Sequence, residues 1–443
     1  MRLSITSEMK GVHPIRKKAP SKLFVEVTTR CNLNCFMCVK QNGVDPQCEG
    51  DMHQELFARL TPALTGLETL VLNGIGEPLL NPELETFIRQ AKRFMPAGSW
   101  IGFQSNGQLL TNLRASSLID SGLDRICLSV DAALPDTFQR VREGGELKDM
   151  EHAFQALRRA KIQCQRPEVK VGIEFVAMRS NINELPSALR WAAQQGADFA
   201  IITHLLPYSD KHAVEAAYST CSSQAIDLFN RYRTLVASQG LDIYRYLEAR
   251  WKYIRTEQEQ QLVRLVEEMK QEADRNNLFI DMKRLLNLDA HWAYHVATVF
   301  AEAASVAERC GIELHLPAVT LQEQRHCSFV EDGGVFVSWD GNISPCYFLW
   351  HRYNCFASGW QQNVRPRVFG NLQQQGILEI WNSNAYRSFR EQVIGYDYPT
   401  CANCSLAPCD YVQTEEFAQD CHIREVPCCE ETHARHNTGI RWD

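Results

Sequence analysis

No apolar run in this chain of 443 residues approaches the ~20 residues needed to cross a bilayer. A membrane-spanning helix is therefore not expected. The N-terminus lacks the apolar core of a secretion signal, and a cytoplasmic location is the expectation. Positive charge is not in excess, since 46 Lys and Arg stand against 53 Asp and Glu, a net charge of −7. That balance argues against a nucleic-acid backbone as main partner, and the short run Arg16-Lys-Lys18 reads as a solvated arm. Disulfides are not expected either, because a reducing compartment keeps thiols free. Cysteine itself is abundant, with 17 residues gathered towards the two ends of the chain, which favours metal binding. Cys127, Cys164 and Cys221 sit in apolar segments and read as inert core.

The hydrophobic fraction of 45% and charged fraction of 22% are ordinary for a globular chain. At ~150 residues per domain, the length suggests two or three units. From about residue 22 to 208, β-branched runs alternate with segments of helical period. Strands are expected over Leu23–Thr28, Thr69–Asn73, Trp100–Ser105, Arg125–Val130, Val169–Met178 and Phe199–His204. Helices are expected near 53–64, 82–94, 112–121, 148–163 and 183–195. Such alternation points to a parallel sheet with helices outside. Residues 209–288 break the rhythm and read as a helical insertion, with Leu262, Leu265, Val266 and Met269 on one face. Residues 289–319 look like one late αβ unit. From about 320 to 430 the helical period weakens and cysteine rises, which suggests a separate metal-organised region. Residues 1–21 form an arm and 431–443 a polar tail.

The most informative local feature is Cys31-Asn-Leu-Asn-Cys35-Phe-Met-Cys38, directly after the first strand. Three soft thiolates at this spacing can hold three irons of a cubic [4Fe–4S] cluster. The fourth iron is then open to a chelating small molecule. A zinc knot or three unrelated thiols are the alternatives, but zinc usually closes four ligands. Only Cys48 and His53 are near enough to complete such a set. A second feature, Gly74-Ile-Gly-Glu-Pro78, follows the second strand. Its glycines let backbone groups approach a ligand, and Glu77 adds a carboxylate suited to an ammonium group.

Together these motifs resemble the radical SAM superfamily, over roughly residues 22–206. The resemblance implies an α/β fold: a partial (β/α)6 TIM-like barrel with a helical insertion. It implies a [4Fe–4S] cluster on Cys31, Cys35 and Cys38, and S-adenosylmethionine chelated at the open iron. Reductive cleavage would then yield a 5′-deoxyadenosyl radical, with an electron donor such as flavodoxin or ferredoxin. The resemblance places the nucleotide against Gly74, Gly76, Glu77 and Pro78, and near Ser105 and Asn106. Ser129 and Asp131 match a motif that reaches the ribose, and Arg142 matches an arginine suited to the methionyl carboxylate. Arg179 and Asn181 follow the fifth strand and are expected to line the same site. Met37 stands where many members carry an aromatic residue against the adenine.

The C-terminal cysteines, Cys327, Cys346, Cys401, Cys404, Cys409 and Cys421, resemble the SPASM extension with its auxiliary iron–sulfur clusters. Trp339-Asp-Gly-Asn-Ile343 looks like its hairpin. Cys401, Cys404, Cys409 and Cys421 make a four-thiolate set for one closed cluster. Cys327 and Cys346 lack further ligands unless Cys355, Cys428 or Cys429 joins them. The layout resembles a subgroup of metalloenzyme maturases, which implies a peptide or protein substrate. Radical chemistry on a small molecule is a second reading, and a non-catalytic iron–sulfur or zinc scaffold a third. His204 and His315 read as core histidines. Trp251 and Tyr253 read as a packed helix face. Tyr208 and Asp210 lie near the expected mouth of the barrel.

Overall fold

The structure is a computed structural model and describes residues 17–41, 49–276, 278, 280–321, 327–357 and 360–395. Six short apolar runs form the expected strands: β1 (Lys22–Val25), β2 (Thr69–Val71), β3 (Trp100–Ser105), β4 (Arg125–Ser129), β5 (Lys170–Ala177) and β6 (Phe199–His204). They lie side by side in chain order and pair in parallel. Parallel strands are covered on both faces, which is why these runs are nearly continuous in apolar residues. The covering helices are α1 (Gln54–Ala58), α2 (Thr61–Leu64), α3 (Leu84–Phe94), α4 (Asn112–Asp120), α5 (Pro135–Val141), α6 (Leu147–Gln163) and α7 (Leu185–Gln195). In α3, Leu84, Phe87, Ile88 and Ala91 recur at helical spacing and all are buried.

Two local differences from the sequence pattern have simple causes. The helix expected over 53–64 is broken into α1 and α2. Pro62 has no N–H to give the Ala58 carbonyl, which instead accepts a 2.7 Å bond from Thr61 Oγ1. Helix α5 was not expected, because only seven residues separate Leu134 from Arg142; Pro135 opens it in the favoured first position.

The insertion contains α8 (Asp210–Glu215), β7 (Ser219–Ser222), α9 (Ser223–Ser238), α10 (Tyr246–Trp251), α11 (Glu257–Arg275) and α12 (Met282–Leu286). It has a hydrophobic core of its own, built on Leu228, Phe229, Tyr246, Val266, Met269 and Leu285. Trp251 and Tyr253 are not part of it: Trp251 at the end of α10 and Tyr253 just after it are both exposed, contrary to the packed face expected of them. Helix α13 (Ala290–Cys310) then leads to β8 (Glu313–His315), which pairs in parallel with β6 as the late αβ unit. The short β9 (Thr320–Leu321) pairs with β7. No helix among the described residues is long and apolar enough to cross a membrane.

The C-terminal region departs most from expectation. It continues through α14 (Ser328–Glu331), β10 (Gly334–Val337), β11 (Asn342–Ser344), β12 (Tyr353–Ala357), β13 (Trp360–Val364), β14 (Gly370–Asn371), α15 (Ile377–Trp381) and α16 (Asn384–Gly395). Strand β10 pairs in parallel with β1, Lys22 opposite Gly334 through Val25 opposite Val337. One ten-stranded sheet thus runs β14-β11-β10-β1-β2-β3-β4-β5-β6-β8. Cys327, Phe329, Phe336, Ile343 and Cys346 belong to the same core as the barrel strands. The described part of this region is therefore not separate; it extends the barrel sheet. The expected hairpin is present, with Gly341 in the left-handed conformation (φ 89°) at its turn.

Candidate active site

The three N-terminal cysteines lie on the loop that leaves the carboxyl end of β1, where ligands meet parallel sheets. The loop is tied down from several directions. Asn34 N donates to Glu143 O and Phe36 N to Val141 O, each at 3.0 Å. Asn106 Nδ2 donates to Asn32 Oδ1 (2.8 Å), and Lys40 Nζ to Thr29 O (2.6 Å). His212 Nε2 lies 2.8 Å from Phe36 O, which ties α8 to the loop. Cys35 and Met37 are buried against Val141, Met178 and Leu205, with Cys38 beside them.

Burial disfavours the thiolate form at these cysteines, and nearby donors offset it only in part. Burial pushes the Cys31 thiol up, while the Leu33 N–H pulls it down and Lys40 adds to that pull. Burial pushes Cys38 up to about 11, opposed by the Lys40 N–H and, more weakly, by Arg142. Arg142 Nη1 sits 3.8 Å from Cys35 Sγ. Three thiols with amide donors, a guanidinium and an ammonium nearby suit a group that ionises sulfur on binding. On that donor chemistry the residues fit a cluster held by Cys31, Cys35 and Cys38. Among the described residues no three His, Cys, Asp or Glu side chains converge on a single-ion position.

The Gly74–Pro78 loop sits against this one, and its glycines are needed for packing. A Cβ on Gly76 would come within 2.4 Å of Thr28 O and 2.6 Å of Arg30 O; one on Gly74 would meet Glu26 Cγ at 2.2 Å. Glu77 N donates to Arg30 O at 2.7 Å. The Glu77 carboxylate, expected to face an ammonium group, is turned inward instead. It accepts from Ser105 Oγ (2.8 Å), Asn106 N (2.8 Å) and Leu79 N (3.1 Å). Burial pushes its pKa up against those bonds. Glu77, Ser105 and Asn106 thus form one buried knot that fixes the loops after β2 and β3. Pro78 is buried beside it.

Other expected residues take similar supporting places. Asp131 is fully buried; it pairs with Arg142 Nε and accepts from Val176 N at 2.6 Å. It orients Arg142, and each of its carboxylate oxygens already accepts one bond from the protein. Burial opposes the Arg142 charge, but Asp131 and Cys35 outweigh it and raise its pKa. Asn181 is buried and bonded to Met178 N, Asp131 O and Val176 O at 2.8–3.0 Å, so it staples β5 to the turn after β4. Arg179 points away, towards Asp289 (3.7 Å) and the Trp292 ring (4.3 Å). Ser129 is buried at the end of β4. His204 is a core histidine, its Nε2 2.8 Å from Ala318 O. His315 is half-buried beside Glu313, and Asp210 is exposed at the start of α8.

Several polar residues inside the barrel were not anticipated. Glu26 is fully buried, with His351 Nε2 at 2.9 and 3.0 Å from its two oxygens. It also accepts from Ile75 N (3.2 Å) and Trp339 N (3.4 Å). Glu174 on β5 is half-buried and accepts from Gln104 Nε2, whose own carbonyl accepts from Asn73 Nδ2. The signal was a lone carboxylate within the apolar runs Leu23–Val27 and Val171–Val176, a pattern rare without a purpose. Cys327, Cys346 and Cys355 are buried. Cys346 and Cys327 lie close enough to act on the Tyr347 and Tyr386 hydroxyls. Cys401, Cys404, Cys409, Cys421, Cys428 and Cys429 lie outside the described residues, as do Cys48 and most of the arm.

Residues 25–192 match the model of the radical SAM superfamily, and residues 327–405 that of an iron–sulfur cluster-binding domain, SPASM. The tungsten-containing aldehyde ferredoxin oxidoreductase cofactor-modifying protein of Pyrococcus furiosus is 27% identical over 417 residues, which covers 92% of this chain and 93% of that protein. The GTP 3′,8-cyclase of Bradyrhizobium diazoefficiens is 32% identical over 187 residues, 41% of this chain and 52% of the cyclase. Among solved structures, Streptococcus suis SuiB bound to S-adenosylmethionine aligns with a TM-score of 0.46 and 11% identity, over 84% of this chain and 68% of that one. The anSMEcpe structure with bound AdoMet aligns with a TM-score of 0.43 and 15% identity, over 84% and 83%.

Proposed function

Since the chain belongs to the radical SAM superfamily and carries a SPASM domain, we propose that it is a maturase, an enzyme that abstracts hydrogen from a peptide or protein substrate while a partner metalloenzyme is being completed. The observation that supports this most is the match to the Pyrococcus furiosus protein. It runs nearly end to end in both chains, through the insertion and the C-terminal region. That relative's name describes modification of an enzyme's cofactor.

Cys31, Cys35 and Cys38 would hold the [4Fe–4S] cluster, with S-adenosylmethionine at its open iron. When bound, this pair supplies reductive cleavage of the nucleotide and a 5′-deoxyadenosyl radical for hydrogen abstraction. The chain supplies the setting. Asp131 holds Arg142 so that its charge stays at Cys35. Met37, Val141, Met178 and Leu205 keep water from the Cys35 thiol. The Glu77 knot fixes the loop that would receive the methionyl group. Cys401, Cys404, Cys409 and Cys421 would hold one auxiliary [4Fe–4S] cluster, and a flavodoxin or ferredoxin would supply electrons. About eight irons per chain are expected, against about twelve if Cys327 and Cys346 join a second auxiliary cluster, at about four per cluster.

Anaerobically reconstituted protein, given S-adenosylmethionine and a strong reductant, is expected to release 5′-deoxyadenosine, and Cys35→Ala is expected to release none. Equal behaviour of the two would leave only an iron–sulfur scaffold. Addition of a candidate partner enzyme should then change that partner's mass. A second reading, action on a small molecule, is favoured by the GTP 3′,8-cyclase relatives, although these match less than half of this chain.

A further inference from the structure

Glu26 follows β1 directly, on the run that leads to Cys31, and it is fully buried. Three separate segments converge on its carboxylate. Oε1 accepts from Ile75 N in the Gly74–Pro78 loop (3.2 Å), and Oε2 from Trp339 N in the C-terminal hairpin (3.4 Å). His351 Nε2 lies between the two oxygens, at 2.9 and 3.0 Å. The loop sits directly on this side chain, since a Cβ on Gly74 would meet Glu26 Cγ at 2.2 Å. The hairpin sits on the base of the cysteine run: Gly50 leaves room for the Trp339 ring, and Gly50 O accepts from Thr29 N at 3.0 Å.

His351 is carried by a segment that is pinned on both sides of the barrel. Tyr347 packs against Phe24 of β1 (6.0 Å) and Trp350 against Phe336 of β10 (4.8 Å). Further on, Tyr353 packs against Tyr208 (5.7 Å), and Phe356 N donates to Pro207 O at 2.7 Å, just beyond β6. The segment thus reaches from the first strand to the sixth, and His351 stands on it between the buried Cys346 and Cys355.

We infer that His351 is a positioning residue for the nucleotide site: through Glu26 it holds the Gly74–Pro78 loop in its receiving geometry, so the fold of the C-terminal region sets the affinity for S-adenosylmethionine. This rests on the maturase reading for S-adenosylmethionine as the occupant of that loop. The physical reason is burial. A carboxylate out of water needs its lone pairs met, and amide bonds of 3.2 and 3.4 Å are long ones. The imidazole N–H, closer and shared by both oxygens, is the main partner. Without it the carboxylate must find another donor, and the side chain that turns to do so releases Oε1 from Ile75 N. The cost of ordering the loop then falls on nucleotide binding. A merely structural His351 would steady its own segment and leave the loop alone.

The test uses the full chain, anaerobically reconstituted and kept oxidised so that no turnover occurs. Binding of S-adenosylmethionine is read by equilibrium dialysis, and amide exchange by mass spectrometry with and without it. His351→Leu, at wild-type iron content, is expected to bind the nucleotide about tenfold more weakly and to exchange faster over residues 72–80. His351→Gln keeps an N–H donor and is expected to recover most of the affinity. Tyr353→Phe removes a different bond of the same segment, Oη to Phe348 O at 3.0 Å, and is expected to change neither quantity. Coupling is reciprocal, so the nucleotide is expected to slow exchange over residues 335–356 of the wild type. Unchanged affinity in His351→Leu overturns the inference, as does an equal loss in Tyr353→Phe. If His351→Leu does not fold, absence of that protection in the wild type still overturns it. A wild type that binds no nucleotide overturns the radical reading; normal binding that His351→Leu does not weaken overturns this inference alone.

Discussion

Glu174→Gln offers a quantitative check on the barrel interior. Burial is the main force on the Glu174 carboxyl, Arg142 opposes it and Asp131 adds to it, and the result is a rise from an ordinary 4.5 to about 7. The native state thus keeps a proton that the unfolded chain releases. Between pH 4.5 and 7 the native state binds more protons, so stability falls as pH rises. The loss is absent below the unfolded value and complete above the folded one. At about 1.36 kcal/mol per pH unit of displacement, it reaches roughly 3 kcal/mol. Glutamine cannot ionise and keeps the Gln104 partner. The variant should therefore gain on wild type by about 2 kcal/mol between pH 5.5 and 8. Urea unfolding of the anaerobic protein, followed by tryptophan fluorescence at several pH values, measures that difference while other titrations cancel. A difference that is flat with pH, or that favours wild type as pH rises, refutes the account of Glu174.

Asp131→Asn keeps the acceptor for Val176 N but strands the Arg142 guanidinium beside Cys35. Removing one partner of a buried pair costs about 3–5 kcal/mol, and adding Arg142→Met should restore much of it; a neutral single variant would show that the pair is not buried as described. Gly76→Ala forces a methyl to within 2.4 Å of backbone oxygen at Thr28. It should cost about 2 kcal/mol or more and lower the iron bound per chain, whereas Gly66→Ala, with open space around it, should do neither. Equal iron content in the two proteins would rule out the proposed packing of the loops.

The sequence by itself determined the elements and the spacing of the cysteine loop. Strand and helix periods depend on residues a few places apart, and so does the spacing of Cys31, Cys35 and Cys38. The six strands and the late αβ unit were therefore legible, as was the hairpin at Gly341. Tertiary structure decided which side chain meets which. His351 reaches Glu26 across 325 positions, and β10 joins the edge of β1 rather than founding a separate region. Glu77, Asp131 and Asn181 were placed at the right loops by pattern, yet their polar atoms face inward to hold those loops. Arg179 left the site for Trp292. No local period encodes such choices. A buried polar group takes the partner that removes its desolvation cost, and which partner is within reach depends on the order in which distant strands pack.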